Sequence, residues 1–184
     1  VNRFGAEFRA ELDGNTLAGT ALLFRARADV RGHWEALTRS AFDDALARGD
    51  DVKALVNHNP SMVLGSTKAK TLRLATDDDG LRFEVDLPDT TYAHDLKELV
   101  ARSDISGMSF GFVPDGDQWS RAPDGRQLRT YTSFKRFLDV SPVTYPAYEG
   151  GEVYLRAEDF TGPRLTAKGQ MIRLQAAALL KEVR

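Results

Sequence analysis

The sequence predicts a β-rich α+β domain, a barrel or sandwich of many short strands with two or three helices at its periphery. Two patterns lead there: apolar–polar alternation of period two recurs along most of the chain, and segments with helical spacing are few and short. Composition allows it, since 42% hydrophobic and 28% charged residues among 184 supply a core and a solvated surface for one compact domain.

The elements follow in order. Leu17 to Phe24 reads as a strand with small residues interleaved. Ser40 to Arg48 reads as a helix, with Ser40 as N-cap, acids in its first turn and Gly49 as its stop. Val52 to Val56 is a short apolar run that ends in Asn57-His58-Asn59-Pro60. Pro60 disfavours helix before it, so His58 falls at a strand end or in a loop. Thr71 to Ala75 alternates, and Asp77 to Gly80 is a turn. Leu81, Phe83, Val85 and Leu87 then alternate strictly with Arg82, Glu84 and Asp86, a half-buried strand that stops at Pro88. Residues 91–102 are helical with Thr90 or Thr91 as cap, and Ile105 to Val113 is a strand. Asp115 to Arg126 is polar around a Pro123-Asp124-Gly125 turn, and residues 129–140 and 152–156 are further strands. From Leu165 the composition shifts to Ala, Leu and Lys, a helical tail or connector, so the expected division is a domain over 1–160 and a tail over 161–184.

Composition also excludes. A net charge of −2 gives no clustered positive field for phosphates, so no nucleic-acid partner is expected. No apolar run approaches the roughly 18 residues of a membrane helix, and Val1 to Gly5 carries no hydrophobic leader; the absent Met points to trimming. With no cysteine, disulfides, thiolate metal sites and Cys nucleophiles are ruled out. The three histidines, His33, His58 and His94, lack the spacing of a helical metal pair, so no metal or other cofactor is expected.

Gly107-Met108-Ser109-Phe110-Gly111 matches the G-x-S-x-G pattern, whose glycines permit a sharp bend beside a serine hydroxyl. A serine needs a base to take its proton. In an α/β-hydrolase the histidine follows the serine, but all three histidines here precede Ser109, which excludes that fold. A His–Asp–Ser order with Asp77, Asp86, Asp95 or Asp104 stays formally open. His33 sits in a polar stretch and His94 on a helix, while His58 ends an apolar run, where a scaffold can present a polar side chain. Asp139 lies in the apolar stretch Phe137-Leu138-Asp139-Val140-Ser141-Pro142-Val143. It faces outward, or inward with a partner such as an imidazole.

Several ordered blocks together resemble the prohead maturation proteases of tailed bacteriophages, serine peptidases grouped with the herpesvirus assemblins. They are Gly19-Thr20-Ala21 with Phe24, Glu35 to Leu46, Ala54 to Pro60 with Val63 to Thr67, Gly80 to Phe83, Leu87 to Thr90, Ile105 to Phe112, and Leu138 to Ala147. The resemblance implies an assemblin-like β-barrel ringed by a few helices. It implies His58 as base, Ser109 as nucleophile and the acid before Val140-Ser141-Pro142-Val143, Asp139, as the third member. Family members often carry Glu there; in assemblins the third member is a histidine after the serine, which this chain lacks. It further implies a serine endopeptidase acting inside the prohead in the host cytoplasm, with scaffold, major capsid protein and itself as substrates. Dimerisation through helices, as in assemblins, is left open. The alternative is a capsid- or scaffold-binding barrel of the same fold that no longer cleaves.

Overall fold

The computed structural model describes residues 14–147, 152–156, 164–165 and 171–172. Their order is β1 (Thr16–Leu23), β2 (Ala28–Val30), β3 (His33–Leu37), α1 (Arg39–Arg48), β4 (Lys53–Val56), β5 (Asn59–Ser66), β6 (Leu72–Thr76) and β7 (Gly80–Asp86). Then come α2 (Thr91–Ala101), β8 (Gly107–Arg121), β9 (Gln127–Val143), β10 (Glu152–Arg156), β11 (Arg164–Leu165) and β12 (Met171–Ile172). The β-rich α+β class holds, with two helices among the described residues. These strands form a four-stranded sheet, β10-β1-β7-β6, a larger sheet ordered β2-β3-β9-β4-β5 with β8 also on β9, and the small pair β11-β12. Arg164–Leu165 and Met171–Ile172 are extended where a helical tail was expected, and the rest of 161–184 lies outside the described residues.

The strand β9 is the spine of the larger sheet. It pairs antiparallel with β8 along almost its whole length, and on its other side it meets β3 and then β4, both parallel. Apolar residues from both large sheets share one core, which α1 plugs: the Phe42 ring meets Phe110, Phe134 and Phe137 edge-on at centroid distances of 5.8, 5.0 and 5.4 Å. Gly49 stops α1 in the left-handed conformation, as read from sequence, but the N-cap is Thr38 and not Ser40.

Two segments add strands to those read from sequence. Residues 59–66 form β5 with Pro60 as its second residue. The register explains it: Val56 pairs with Asn59 but Leu55 with Val63, so Pro60, Ser61 and Met62 bulge out of the ladder. A bulge is a place where a strand tolerates proline. The polar stretch 115–126 keeps the turn read at residues 123–125 and is otherwise mostly strand: β8 continues to Arg121 and returns as β9 from Gln127, a long two-stranded arm.

Candidate active site

The site is assembled on the inner half of the β8–β9 ladder. Phe110 pairs with Val140 and Met108 with Pro142, and these side chains are buried. The intervening positions, Ser109 opposite Ser141 and Gly111 opposite Asp139, therefore share the other face. A register slip of one residue would exchange the two sets, so packing of Met108, Phe110 and Val140 fixes where Ser109 points.

On β9, Phe137 and Asp139 are two residues apart and would share a face in a regular strand. They do not, because Gly111 pairs with Asp139 while Phe112 pairs with Phe137, leaving Leu138 as the extra residue of a bulge. Phe137 thereby enters the core against Phe42 and Asp139 turns to the site. Asp139 is 9% exposed, a burial that a carboxylate tolerates only with partners. It has two on one oxygen: His58 Nδ1 lies 2.6 Å from Oδ1, and the Ser141 hydroxyl donates to the same Oδ1 at 2.6 Å.

The glycines of the Gly107–Gly111 motif make room for these contacts. Neither has a positive φ and both lie within β8, so the motif is a straight strand and not a sharp turn. A Cβ on Gly111 would run far inside van der Waals contact with Asp139 Oδ2, and one on Gly107 would come within 2.8 Å of the Pro146 ring. Close approach is their purpose here.

His58 arrives from the adjacent hairpin. Val56 pairs with Asn59 across a two-residue turn whose central residues, Asn57 and His58, have φ of 50° and 57°. Two left-handed residues are the signature of a type I′ hairpin turn, where glycine is favoured. For a residue with a side chain that conformation costs about 1–2 kcal/mol. Asn57 tolerates it and also fastens the turn to β9: its amide donates to Pro142 O at 3.0 Å, and its Oδ1 accepts from Thr144 N at 2.9 Å. His58 is thus held over Asp139 while 40% of its side chain stays exposed. The hydrogen bond to Asp139 and the negative charge of that carboxylate raise the His58 pKa above the ordinary 6.5, with partial burial opposing.

Of the residues singled out from sequence, the structure brings His58 and Asp139 into contact and puts Ser109 on the same face, cross-strand from Ser141. Among the described residues no hydrogen bond joins Ser109 to His58. Bonds of this kind often tighten only when substrate is bound. The other histidines are engaged elsewhere: His33 sits in β3 beside Glu35 at 3.3 Å and against the Trp119 ring, and His94 pairs with Asp89 at 2.8 Å on the exposed side of α2. Asp77 and Asp86 are bound to Arg82 and Arg73, and Glu149 and Glu152 are acids whose side chains lie outside the described residues. Sequence reasoning missed Ser141 and Asn57 as site residues. Their signals were present: a serine two positions after Asp139 shares its face, and Asn-His is a pair that tolerates a left-handed turn.

Among the described residues no group of three or more His, Asp or Glu is placed to hold a metal ion, and no helix is long and apolar enough to cross a membrane. The family model described as Caudovirus prohead serine protease matches residues 5–162, most of the chain and all of the site above. No curated protein matches the chain.

Proposed function

The chain belongs to the caudovirus prohead serine protease family, and from that membership we propose that it is the endopeptidase that trims scaffold, the major capsid protein and itself within the immature capsid, with Ser109, His58 and Asp139 as its catalytic residues. The family already gives a phage capsid maturation protease at work in the prohead within the host cell. The observation that carries the residue assignment is the convergence of His58 on the buried Asp139 carboxylate at 2.6 Å, two residue pairs along the ladder from Ser109 and on the same face.

In the proposed reaction His58 Nε2 takes the Ser109 proton as Oγ attacks the scissile carbonyl, and later returns it to the leaving amine. Water then attacks the acyl-enzyme with His58 again as base, releasing the second product and restoring Ser109. Asp139 accepts from Nδ1–H, which leaves Nε2 as the basic nitrogen and stabilises the imidazolium that forms. Ser109 is favoured over its neighbour Ser141 as nucleophile because Ser109 is half-buried, whereas Ser141 is fully buried with its proton committed to Asp139. The same proposal takes the two large sheets, which share one core, as sides of an assemblin-like barrel.

The test is co-expression of the full-length protein with its capsid and scaffold partners, read by mass spectrometry of the products. Wild type is expected to cleave, and Ser109→Ala and His58→Ala are expected to leave the substrates intact. Cleavage persisting in Ser109→Ala would overturn the nucleophile assignment. Intact substrates with wild type would favour the capsid- or scaffold-binding barrel that does not cleave.

A further inference from the structure

Ser141 is the one fully buried polar side chain of the site. Its hydroxyl donates to Asp139 Oδ1 at 2.6 Å, and His58 Nδ1 meets that same oxygen at 2.6 Å. A carboxylate that served His58 alone could rotate about Cβ–Cγ and turn its plane away from the imidazole. Two features stop that rotation. Ser141 holds Oδ1 from β9 itself, and the absent Cβ of Gly111 leaves a slot on β8 into which Oδ2 fits most closely.

Resting on the reading of His58 and Asp139 given above, we propose that Ser141 is a positioning residue: it fixes the orientation of the Asp139 carboxylate that accepts from His58 Nδ1–H and tempers how strongly that carboxylate holds the imidazolium. Oδ1 shares its negative charge between two donors, so its hold on the imidazolium is weaker than it would be with His58 as sole partner. Ser141 touches neither substrate nor the reacting atoms and acts only through Asp139. Its position also explains a buried hydroxyl in an otherwise apolar segment, Val140 to Val143, where a hydrophobic side chain would pack without a polar atom to satisfy.

The test uses the full chain as wild type, Ser141→Ala and Ser141→Thr, and reads two quantities. One is cleavage of the co-expressed capsid and scaffold partners against pH. The other is the titration of the His58 ring by NMR, tractable because the chain has three histidines. Ser141→Ala is expected to lower cleavage about 10- to 100-fold, the scale of a lost hydrogen bond to a charged group. It is also expected to move both the His58 midpoint and the acid limb of cleavage to higher pH. Ser141→Thr, which keeps the hydroxyl, is expected to restore both midpoints even where its extra methyl lowers stability. In an Asp139→Asn background the Ser141→Ala shift is expected to vanish. A His58 midpoint unchanged by Ser141→Ala, or shifted equally without the Asp139 carboxylate, would overturn the proposal. Loss of cleavage in Ser141→Ala with cleavage retained in Ser109→Ala would make Ser141 the nucleophile and overturn both readings. Cleavage absent from every form, wild type included, would count against the endopeptidase alone, because the NMR arm still decides the coupling of Ser141 to His58.

Discussion

The two halves of the β8–β9 ladder are built from the same pair of strands and held by opposite means. The inner half, Gly107 to Phe112 against Phe137 to Val143, is locked by burial: Met108, Phe110, Phe137 and Val140 are each 8% exposed or less. The outer arm, Val113 to Arg121 against Gln127 to Arg136, is exposed along β8 and mostly half-buried along β9, and its register shifts at three places between Val113 and Asp117. Charge and rings hold it. Arg129 bonds Asp117, and Arg126 pairs with Asp124 at 2.8 Å and Asp29 at 2.6 Å while lying 3.8 Å over the Trp34 ring. Trp34 and Arg126 together pull the Asp124 carboxyl down to about 2. Screened contacts of that kind can be lost one at a time, whereas a group on the packed half cannot move without moving the core. The lesson is that the proposed reactive groups sit where small errors are costly, and four substitutions test it.

The largest effect is expected from Asp139→Asn on the inner half. The amide would leave His58 without its charge partner and favour the wrong tautomer, and triad acids removed in this way cost about 10⁴-fold in turnover in a serine protease. The pH dependence supplies a second reading. His58 must be neutral to act as base, so wild-type cleavage should rise as pH passes through its raised pKa, above 6.5. In Asp139→Asn the acid limb should fall to lower pH while the plateau drops. Stability runs the other way: the raised pKa makes the pair stabilising below the unfolded value and lost as pH rises through the folded one. With 40% of the His58 side chain exposed, that contribution should not exceed about 1 kcal/mol. The pair therefore stabilises least where the base works best. An acid limb that stays in place in Asp139→Asn would detach Asp139 from His58.

A paired substitution of glycines sharpens the contrast between the halves. In Gly111→Ala the new methyl meets the Asp139 carboxylate, which Ser141 and His58 hold from the other side, so the carboxylate must leave its place. Misplacement of about 1 Å at a catalytic group can cost about 100-fold in rate, and overpacking adds about 1–3 kcal/mol of destabilisation. In Gly116→Ala, on the arm, the methyl meets Ser133 Oγ at 2.8 Å, a side chain on the open arm that can rotate away. Cleavage and thermal midpoint should change little. Equal losses in both variants would erase the distinction drawn here.

How much of this was legible in the sequence follows the same division. The strict alternation from Leu81 to Leu87 and the Gly49 stop of α1 were readable because one rule governs each. Asp139 was readable as a carboxylate that faces outward or, if inward, needs a partner, since its neighbours are apolar and burial without one is prohibitive. The bulge at Leu138 was not: whether Phe137 and Asp139 share a face depends on the partner strand, which local sequence does not contain. The β8 side of the arm was hidden for the converse reason. Exposed along nearly its whole length, it lacks apolar alternation, so a polar strand and a polar loop look alike. The motif glycines were visible but misread, because a glycine that opens a slot for a distant carboxylate carries the same letter as one that bends the chain. The resemblance prefers His58 to His33 and His94, and Glu35, Trp119 and Asp89 beside those two supply the physical reason.

The smallest effect is expected from Trp119→Ala at the arm. Trp119 is 52% exposed; its ring touches His33 at a centroid distance of 5.3 Å and lies under the Arg129 guanidinium at 5.6 Å. Both neighbours keep other partners, His33 with Glu35 and Arg129 with Asp117 and the Tyr131 ring. Truncation then removes ring contacts in a solvated setting, a loss of about 0.5–1 kcal/mol, too little to reach the inner ladder through a register already broken at three places. Thermal unfolding should shift by a few degrees at most, and the His58 titration midpoint should not move. If cleavage fell while the midpoint stayed put, the arm would be acting on substrate directly, and the functional surface would extend beyond the packed half. A moved midpoint would instead mean that strain passes along the ladder, so that the two halves behave as one unit.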